Sequence, residues 1–337
     1  MSRSQLPTTM TAVELSATRT EHPMTGSRAP AGVERALDHL DDATVRDAVV
    51  VGSEVRHRLG QFLHARRFVE IAPVIVAPVT DPLNHPVSDP RIDYYGHSFQ
   101  LTRSMIFHKQ LALRAVPRVY CFSPNLRFEP VDRQRTGRHL VEFTQLDLEM
   151  RGASREDAMA LGERLLADLV RGIRTRCAAE LERRSRTLPA LAPPFPQIAW
   201  RAARRKWGPS FEADLSKASR TPVWLIDIPL PEREFYDRED AERPGILRDM
   251  DLIYPDGFGE ALSGGEREYT LEAILRRIRA KGQTPEQFRW YLESARRGLE
   301  PSAGFGIGLE RLVRWLLGLR DVADTSLFPK RIGEWSL

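Results

Sequence analysis

Two segments of this sequence combine residue types that bind and polarise phosphates. The first is Gly304-Phe305-Gly306-Ile307-Gly308-Leu309-Glu310-Arg311-Leu312, alternate glycines running into an amphipathic stretch. Alternate glycines on a strand let another group approach the backbone closely, here an adenosine. An arginine one turn into the following helix can clamp a polyphosphate. A dinucleotide fingerprint is excluded, because Arg311 stands where its third glycine belongs and no βαβ unit follows. A glycine-rich packing joint between strand and helix explains the segment equally well. The second segment is Phe122-Ser123-Pro124-Asn125-Leu126-Arg127-Phe128-Glu129, then a loop over 130–138, then His139-Leu140-Val141-Glu142-Phe143-Thr144-Gln145-Leu146-Asp147-Leu148-Glu149. Arg127 and Glu129, two apart on a strand, share a face. They suit a phosphate and an adenine amino group laid on an antiparallel sheet, with a structural ion pair as the plainer alternative.

The elements that position these residues follow from periodicity. Apolar residues at Val45, Ala48, Val49, Val51, Val55, Leu59, Phe62 and Leu63 predict a helix over 43–67. Phe68–Ile71 then reads as a strand that stops at Pro73. Strands are expected at 98–102, 118–122, 139–149, 223–228 and 252–254. Ser154-Arg155-Glu156-Asp157 is a capping box that opens another amphipathic helix. Helices are expected near 270–281, 285–297 and 309–319, and the proline-rich stretch 186–200 reads as a loop. Strands in the middle with helices outside predict an α+β fold, a mostly antiparallel sheet flanked by helices.

Composition bounds the rest. The 337 residues suffice for a packed core without disulfide or metal staples. A net charge of +4 is far from the excess of a nucleic-acid coat protein. Lysine occurs only at 109, 206, 217, 281 and 330, so a lysine that escaped replacement by arginine points to a need for its compact ammonium. Two cysteines without CxxC spacing argue for a reducing compartment, and the expected location is cytoplasmic. No run of 18 apolar residues is present, so no membrane span is expected. Residues 1–31 read as a disordered leader and 32–337 as one catalytic domain.

The two segments together, in this order after a helix–strand–proline unit, resemble motifs 1, 2 and 3 of class II aminoacyl-tRNA synthetases. Thr136-Gly137-Arg138-His139-Leu140 with Glu142-Phe143-Thr144-Gln145, Asp251 with the run 259–268, and Leu327-Phe328-Pro329-Lys330 narrow the resemblance to the aspartyl/asparaginyl branch. The resemblance covers residues 43–333 and implies the class II catalytic core. It further implies that Arg127 contacts the ATP α-phosphate and the activated carboxylate, that Glu129 reads adenine, and that Phe143 stacks on it. His139 and Arg311 would hold the terminal phosphates, with Arg127 and Arg311 as the catalytic cations. Asp251, Glu260 and Ser263 would carry Mg2+. Lys109 and Arg267 would grip the distal carboxylate of L-aspartate or an analogue, with Ser104, Gln145 and Asp147 on the same side. Pro73 would belong to a homodimer interface. Met105-Ile106 depart from the aspartyl enzymes of the family, which carry a glutamine in the segment before the pocket lysine, so the resemblance does not imply strict aspartyl specificity.

A full-length member of this branch carries an anticodon-reading barrel of roughly 100 residues. Only 42 residues precede the motif 1 helix here, and no basic–aromatic stripe stands in for the barrel. On that ground tRNA is not expected as a partner. The expected activity resembles that of the stand-alone asparagine synthetases: aspartate is adenylated and ammonia attacks, giving the amide, AMP and pyrophosphate. Three alternatives remain open: a specialised ligase joining an aspartate-like acid to a larger amine, an aminoacyl transferase loading a tRNA or carrier protein, and an inactive regulatory relative.

Overall fold

The structure is a computed structural model and describes residues 31–334, so the leader expected at 1–31 lies, but for Ala31, outside the described residues. In chain order it contains α1 (Ala31–Asp41), α2 (Ala43–His64), β1 (Val69–Glu70), β2 (Val76–Ala77), β3 (Arg91–Tyr94), β4 (His97–Leu101), α3 (Ile106–Ala112) and β5 (Arg118–Leu126). Next come β6 (Glu142–Arg151), α4 (Arg155–Arg176), α5 (Ala178–Arg183), β7 (Gln197–Ala199), α6 (Trp200–Trp207), α7 (Phe211–Ala218) and β8 (Val223–Ile226). The chain closes with β9 (Asp249–Tyr254), β10 (Gly259–Arg267), α8 (Leu271–Ala280), α9 (Arg289–Arg296), β11 (Ser302–Gly308) and α10 (Leu309–Leu317).

Eight strands form one sheet in the order β1-β5-β6-β11-β10-β9-β8-β7. The central pairs are antiparallel, and only the outer pairs β1–β5 and β7–β8 are parallel. The α+β expectation therefore holds. β2, β4 and β3 make a separate three-stranded sheet. Helices α2, α4 and α10 seal the large sheet through one apolar core that includes Val55, Leu59, Leu165, Leu169, Leu312 and Trp315. α2 starts where Asp42 accepts the Thr44 amide at 2.6 Å, and it buries the apolar stripe read from the sequence. The capping box at the start of α4 forms as expected, with Ser154 and Asp157 bonded reciprocally.

A second, aromatic core lies behind α3. Phe107 stacks among Phe235, Phe288 and Tyr291, its ring centroid 4.5 Å from that of Tyr291. Tyr291 donates to Gln110 Oε1 at 2.7 Å, which fixes the short helix that carries Lys109.

Some expected elements differ. β6 begins at Glu142, so His139–Val141 belong to the approach to the strand, not to it. β10 was not expected, because Gly259-Glu260-Ala261-Leu262-Ser263-Gly264-Gly265-Glu266-Arg267 lacks β-branched residues. Its neighbours on both sides supply the pairing that composition does not. α5, α6 and α7 also escaped, each at most eight residues long.

Candidate active site

Two of the glycines of β11 let neighbouring β6 groups approach closely. A Cβ on Gly304 would sit 2.2 Å from the Leu148 carbonyl oxygen and 2.3 Å from Glu149 Oε2, and one on Gly306 only 2.0 Å from Gln145 Nε2. The space beside these two glycines is taken by the Leu148 carbonyl and the Glu149 and Gln145 side chains of β6, while Gly306 and Gly308 also line the cleft. Glu149 and Gln145 can therefore lean across β11, with Gln145 on the floor of a cleft of about 580 Å3 over the sheet and Glu149 buried beneath it.

At one end of the floor Lys109 reaches up from α3, only 3% exposed. Its Nζ lies 2.9 Å from Asp147 Oδ1 and 3.4 Å from Glu149 Oε2. Arg267, at the end of β10, donates from Nε to Glu149 Oε1 at 3.2 Å and from Nη1 to Asp237 Oδ1 at 2.9 Å. Its Nη2 donates to the Gly304 carbonyl at 3.0 Å. The two cations expected to grip a carboxylate stand side by side as expected, but both are already charge-matched by buried acids. Asp147 Oδ2 is left without a hydrogen-bond partner. Gln145 accepts from Asn125 Nδ2 at 2.7 Å, and the Ser104 hydroxyl accepts the Ile106 amide at 3.2 Å and caps the first turn of α3.

The other end is cationic and less paired. Arg127 follows the last residue of β5, so Arg127 and Glu129 do not share a strand face as expected. Arg127 donates Nε to the Arg103 carbonyl at 3.1 Å, and its guanidinium carbon lies 5.1 Å from the centroid of the Phe143 ring. It has no carboxylate at ion-pair distance among the described residues. Glu129 instead meets His85 at 3.0 Å and Arg133 at 3.6 Å. Burial pushes the Glu129 carboxyl up, but His85 and Arg133 outweigh it and hold it below its ordinary value. Arg311, on α10, donates Nε to the Arg138 carbonyl at 3.2 Å and stands 3.5 Å from Glu260 Oε2. Burial, then Arg311 and Arg138, push His139 down to about 3, so its imidazole is neutral at pH 7.

All the expected residues line the cleft except Asp251. Asp251 lies behind the wall, bonded to Arg233, because burial on β9 demands a cationic partner. Its Oδ1 has no hydrogen-bond partner, and Ser263 lies directly opposite in the β9–β10 register. Asp251 Oδ1 and Glu260 are hard oxygens of the kind that hold Mg2+ together with nucleotide phosphates, so the donor set fits that ion. Among the described residues no cluster of three or more acidic, His or Cys side chains could hold a metal by itself.

Several lining residues were missed: Arg138, Arg233, Glu212, Glu234 and His85. Arg233 and Glu234 sit in the irregular stretch between β8 and β9, where no period marks a site. Glu212 is pushed up to about 7, first by burial and then by Asp251 and Glu260.

A glycine-floored antiparallel sheet with an arginine on each side of a nucleotide-sized cleft defines the class II synthetase core. The chain belongs to the family described as tRNA synthetases class II (D, K and N), whose model matches residues 33–332. It is 31% identical over 312 residues to the asparagine–tRNA ligase of Pelotomaculum thermopropionicum, covering 87% of this chain and 71% of that one. The asparagine–tRNA ligase of Thermococcus gammatolerans is 29% identical over 308 residues, covering 87% and 70%. Among solved structures, asparaginyl-tRNA synthetase from Pyrococcus horikoshii complexed with asparaginyl-adenylate superimposes with a TM-score of 0.83 at 26% identity. That match covers 90% of this chain and 72% of the other. Aspartyl-tRNA synthetase from Entamoeba histolytica shares the fold, with a TM-score of 0.74 at 24% identity over 96% of this chain and 66% of the other.

These relatives overturn the expectation that tRNA is not a partner. That expectation rested on the residues ahead of α2, whereas the relatives matched across the core are named as tRNA ligases. No helix among the described residues is long and apolar enough to cross a membrane.

Proposed function

We propose that the chain binds ATP with Mg2+, activates aspartate or asparagine as an aminoacyl-adenylate, and transfers the aminoacyl group to tRNA. The observation that carries this reading is the division of one cleft into a charge-matched amino-acid floor and an under-paired cationic end. Arg127 is placed to meet charge that develops as a carboxylate attacks the α-phosphate, and Arg311 to meet the departing pyrophosphate. Glu129 and Phe143 frame the adenine position. Mg2+ held through Asp251 and Glu260 would offset phosphate charge.

On the floor, Lys109 offers a donor and Asp147 Oδ2 a free acceptor, the complement of a carboxamide. The floor therefore suits a carboxamide or its carboxylate isostere. Transfer to ammonia, expected from the sequence, gains no support from the relatives, and acyl transfer to tRNA takes its place.

ATP–pyrophosphate exchange across asparagine, aspartate, glutamine and glutamate tests the reading. Exchange should depend on asparagine or aspartate and be at least tenfold weaker with the longer pair, whose extra methylene shifts the side-chain head group relative to Lys109 and Asp147. Equal exchange with all four would show that the floor does not select.

A further inference from the structure

Outside the cleft, residues 185–211 carry five cations, Arg186, Arg201, Arg204, Arg205 and Lys206, and no aspartate or glutamate. In a chain that is 28% charged with nearly balanced signs, that is a local excess of one sign. Four of the five lie on α6, Trp200-Arg201-Ala202-Ala203-Arg204-Arg205-Lys206-Trp207, bounded by a tryptophan at each end. This is the basic–aromatic stripe that the sequence was read as lacking.

The fold leaves these cations unspent. Ala203 faces the core, while Arg201, Arg204, Arg205 and Lys206 are exposed. None has a carboxylate at ion-pair distance among the described residues. Some arginines elsewhere are neutralised by contrast: Arg243 pairs with Asp227 at 2.7 Å and Asp240 at 2.8 Å, and Arg238 with Glu266 at 3.0 Å. Among the described residues, the partners of Arg204 and Lys206 are aromatic rings. Arg204 lies 5.9 Å from the Trp200 ring and 6.0 Å from Phe211, and Lys206 lies 4.3 Å from Trp207. Arg201 and Arg205 are one helical turn apart on the same face.

The stripe also borders the site. Phe211 packs edge-on against Trp200 with centroids 5.3 Å apart, and the next residue, Glu212, lines the cleft. The helix that follows α6 thus carries both a residue packed on the stripe's Trp200 and a residue of the cleft wall.

We propose that the exposed face of α6 is a docking surface for the phosphate backbone of the acyl-accepting RNA. The proposal rests on the tRNA reading above and places that substrate on a named helix. Exposed cations without protein partners release counterions when they meet phosphates, so binding here is salt-sensitive and independent of base sequence. The flanking tryptophans hold the helix and give unpaired bases a stacking surface.

The test is the full-length triple variant Arg201→Ala/Arg205→Ala/Lys206→Ala. Arg204 stays, because it packs on Trp200 and Phe211. ATP–pyrophosphate exchange should remain within about twofold of wild type. The KM for tRNA in acylation should rise about tenfold or more, and the slope of log affinity against log salt should fall by about 2. The variant with lysine at 201 and 205 should bind tRNA nearly as wild type does. If wild type binds tRNA and the triple variant matches it in KM and salt slope, the docking surface is wrong while the tRNA reading stands. If wild type exchanges pyrophosphate but neither binds nor acylates tRNA, both fall. Displacement of tRNA by polyglutamate as effectively as by poly(U) would make α6 a surface for acidic protein and overturn the RNA assignment.

Discussion

The two ends of the cleft hold cations in opposite ways. On the floor, Lys109 and Arg267 are buried and share Asp147, Glu149 and Asp237, so their charge is spent within the protein. At the nucleotide end, Arg127 and Arg311 direct their Nε atoms to backbone carbonyls, and among the described residues only Glu260, at 3.5 Å, approaches either as a counter-ion. A balanced network fixes shape and chooses among small uncharged or singly charged groups. An under-paired one waits for phosphates. The same residue types therefore serve selection at one end and catalysis at the other, and neighbouring carboxylates decide which.

The largest break in that contrast should come from the floor. Lys109→Ala leaves Asp147 and Glu149 short of a buried cation, at a cost of about 3–5 kcal/mol in unfolding free energy by denaturant titration. Lys109→Ala paired with Asp147→Ala should recover part of that loss. A single variant as stable as wild type would show that the network is not balanced as described.

Arg127→Ala acts at the other end, where the side chain has one backbone hydrogen bond and a ring contact but no buried carboxylate that depends on it. Exchange should fall about 100- to 1000-fold while stability changes little. Equal losses of stability in Arg127→Ala and Lys109→Ala would erase the distinction between the two ends.

A third prediction concerns pH. Burial raises the Glu310 carboxyl to about 7, and its Oε2 has no partner while Oε1 accepts the Thr144 amide at 2.8 Å. The folded chain thus holds a proton that the unfolded chain releases near pH 4.5. Stability should fall as pH rises from about 4.5 to about 7, and Glu310→Gln should flatten that fall by on the order of 2 kcal/mol. His139 is already neutral throughout this range, so exchange should show no limb from its titration. The smallest effect belongs to Phe143→Leu, which removes about 1 kcal/mol of ring stacking and should raise the KM for ATP several-fold, leaving that for the amino acid unchanged.

The sequence showed more of the nucleotide end than of the floor. Arg127, Glu129, Phe143 and Arg311 lie in two continuous segments whose spacing could be read, and every one of them reached the cleft. The floor depends on long-range partners. Asp237 comes from an aperiodic stretch, and its bond to Arg267 closes a contact across 30 residues. The glycine ladder was visible, but the groups that approach it were not, since only the β6–β11 register shows Glu149 and Gln145 beside it. β10 was hidden because its pairing comes from flanking strands and not from its composition. The basic run at α6 was present in the sequence, but its lack of acidic partners became visible only in three dimensions.

The most direct test of the central claim is a single-turnover chase. Enzyme, Mg2+-ATP and labelled asparagine or aspartate form the bound adenylate, which is then mixed with tRNA or with ammonium. The account predicts that label moves to tRNA as an alkali-labile ester, with no gain in amide when ammonium is added. Label appearing only in the free amide, or no adenylate with either amino acid, would contradict it.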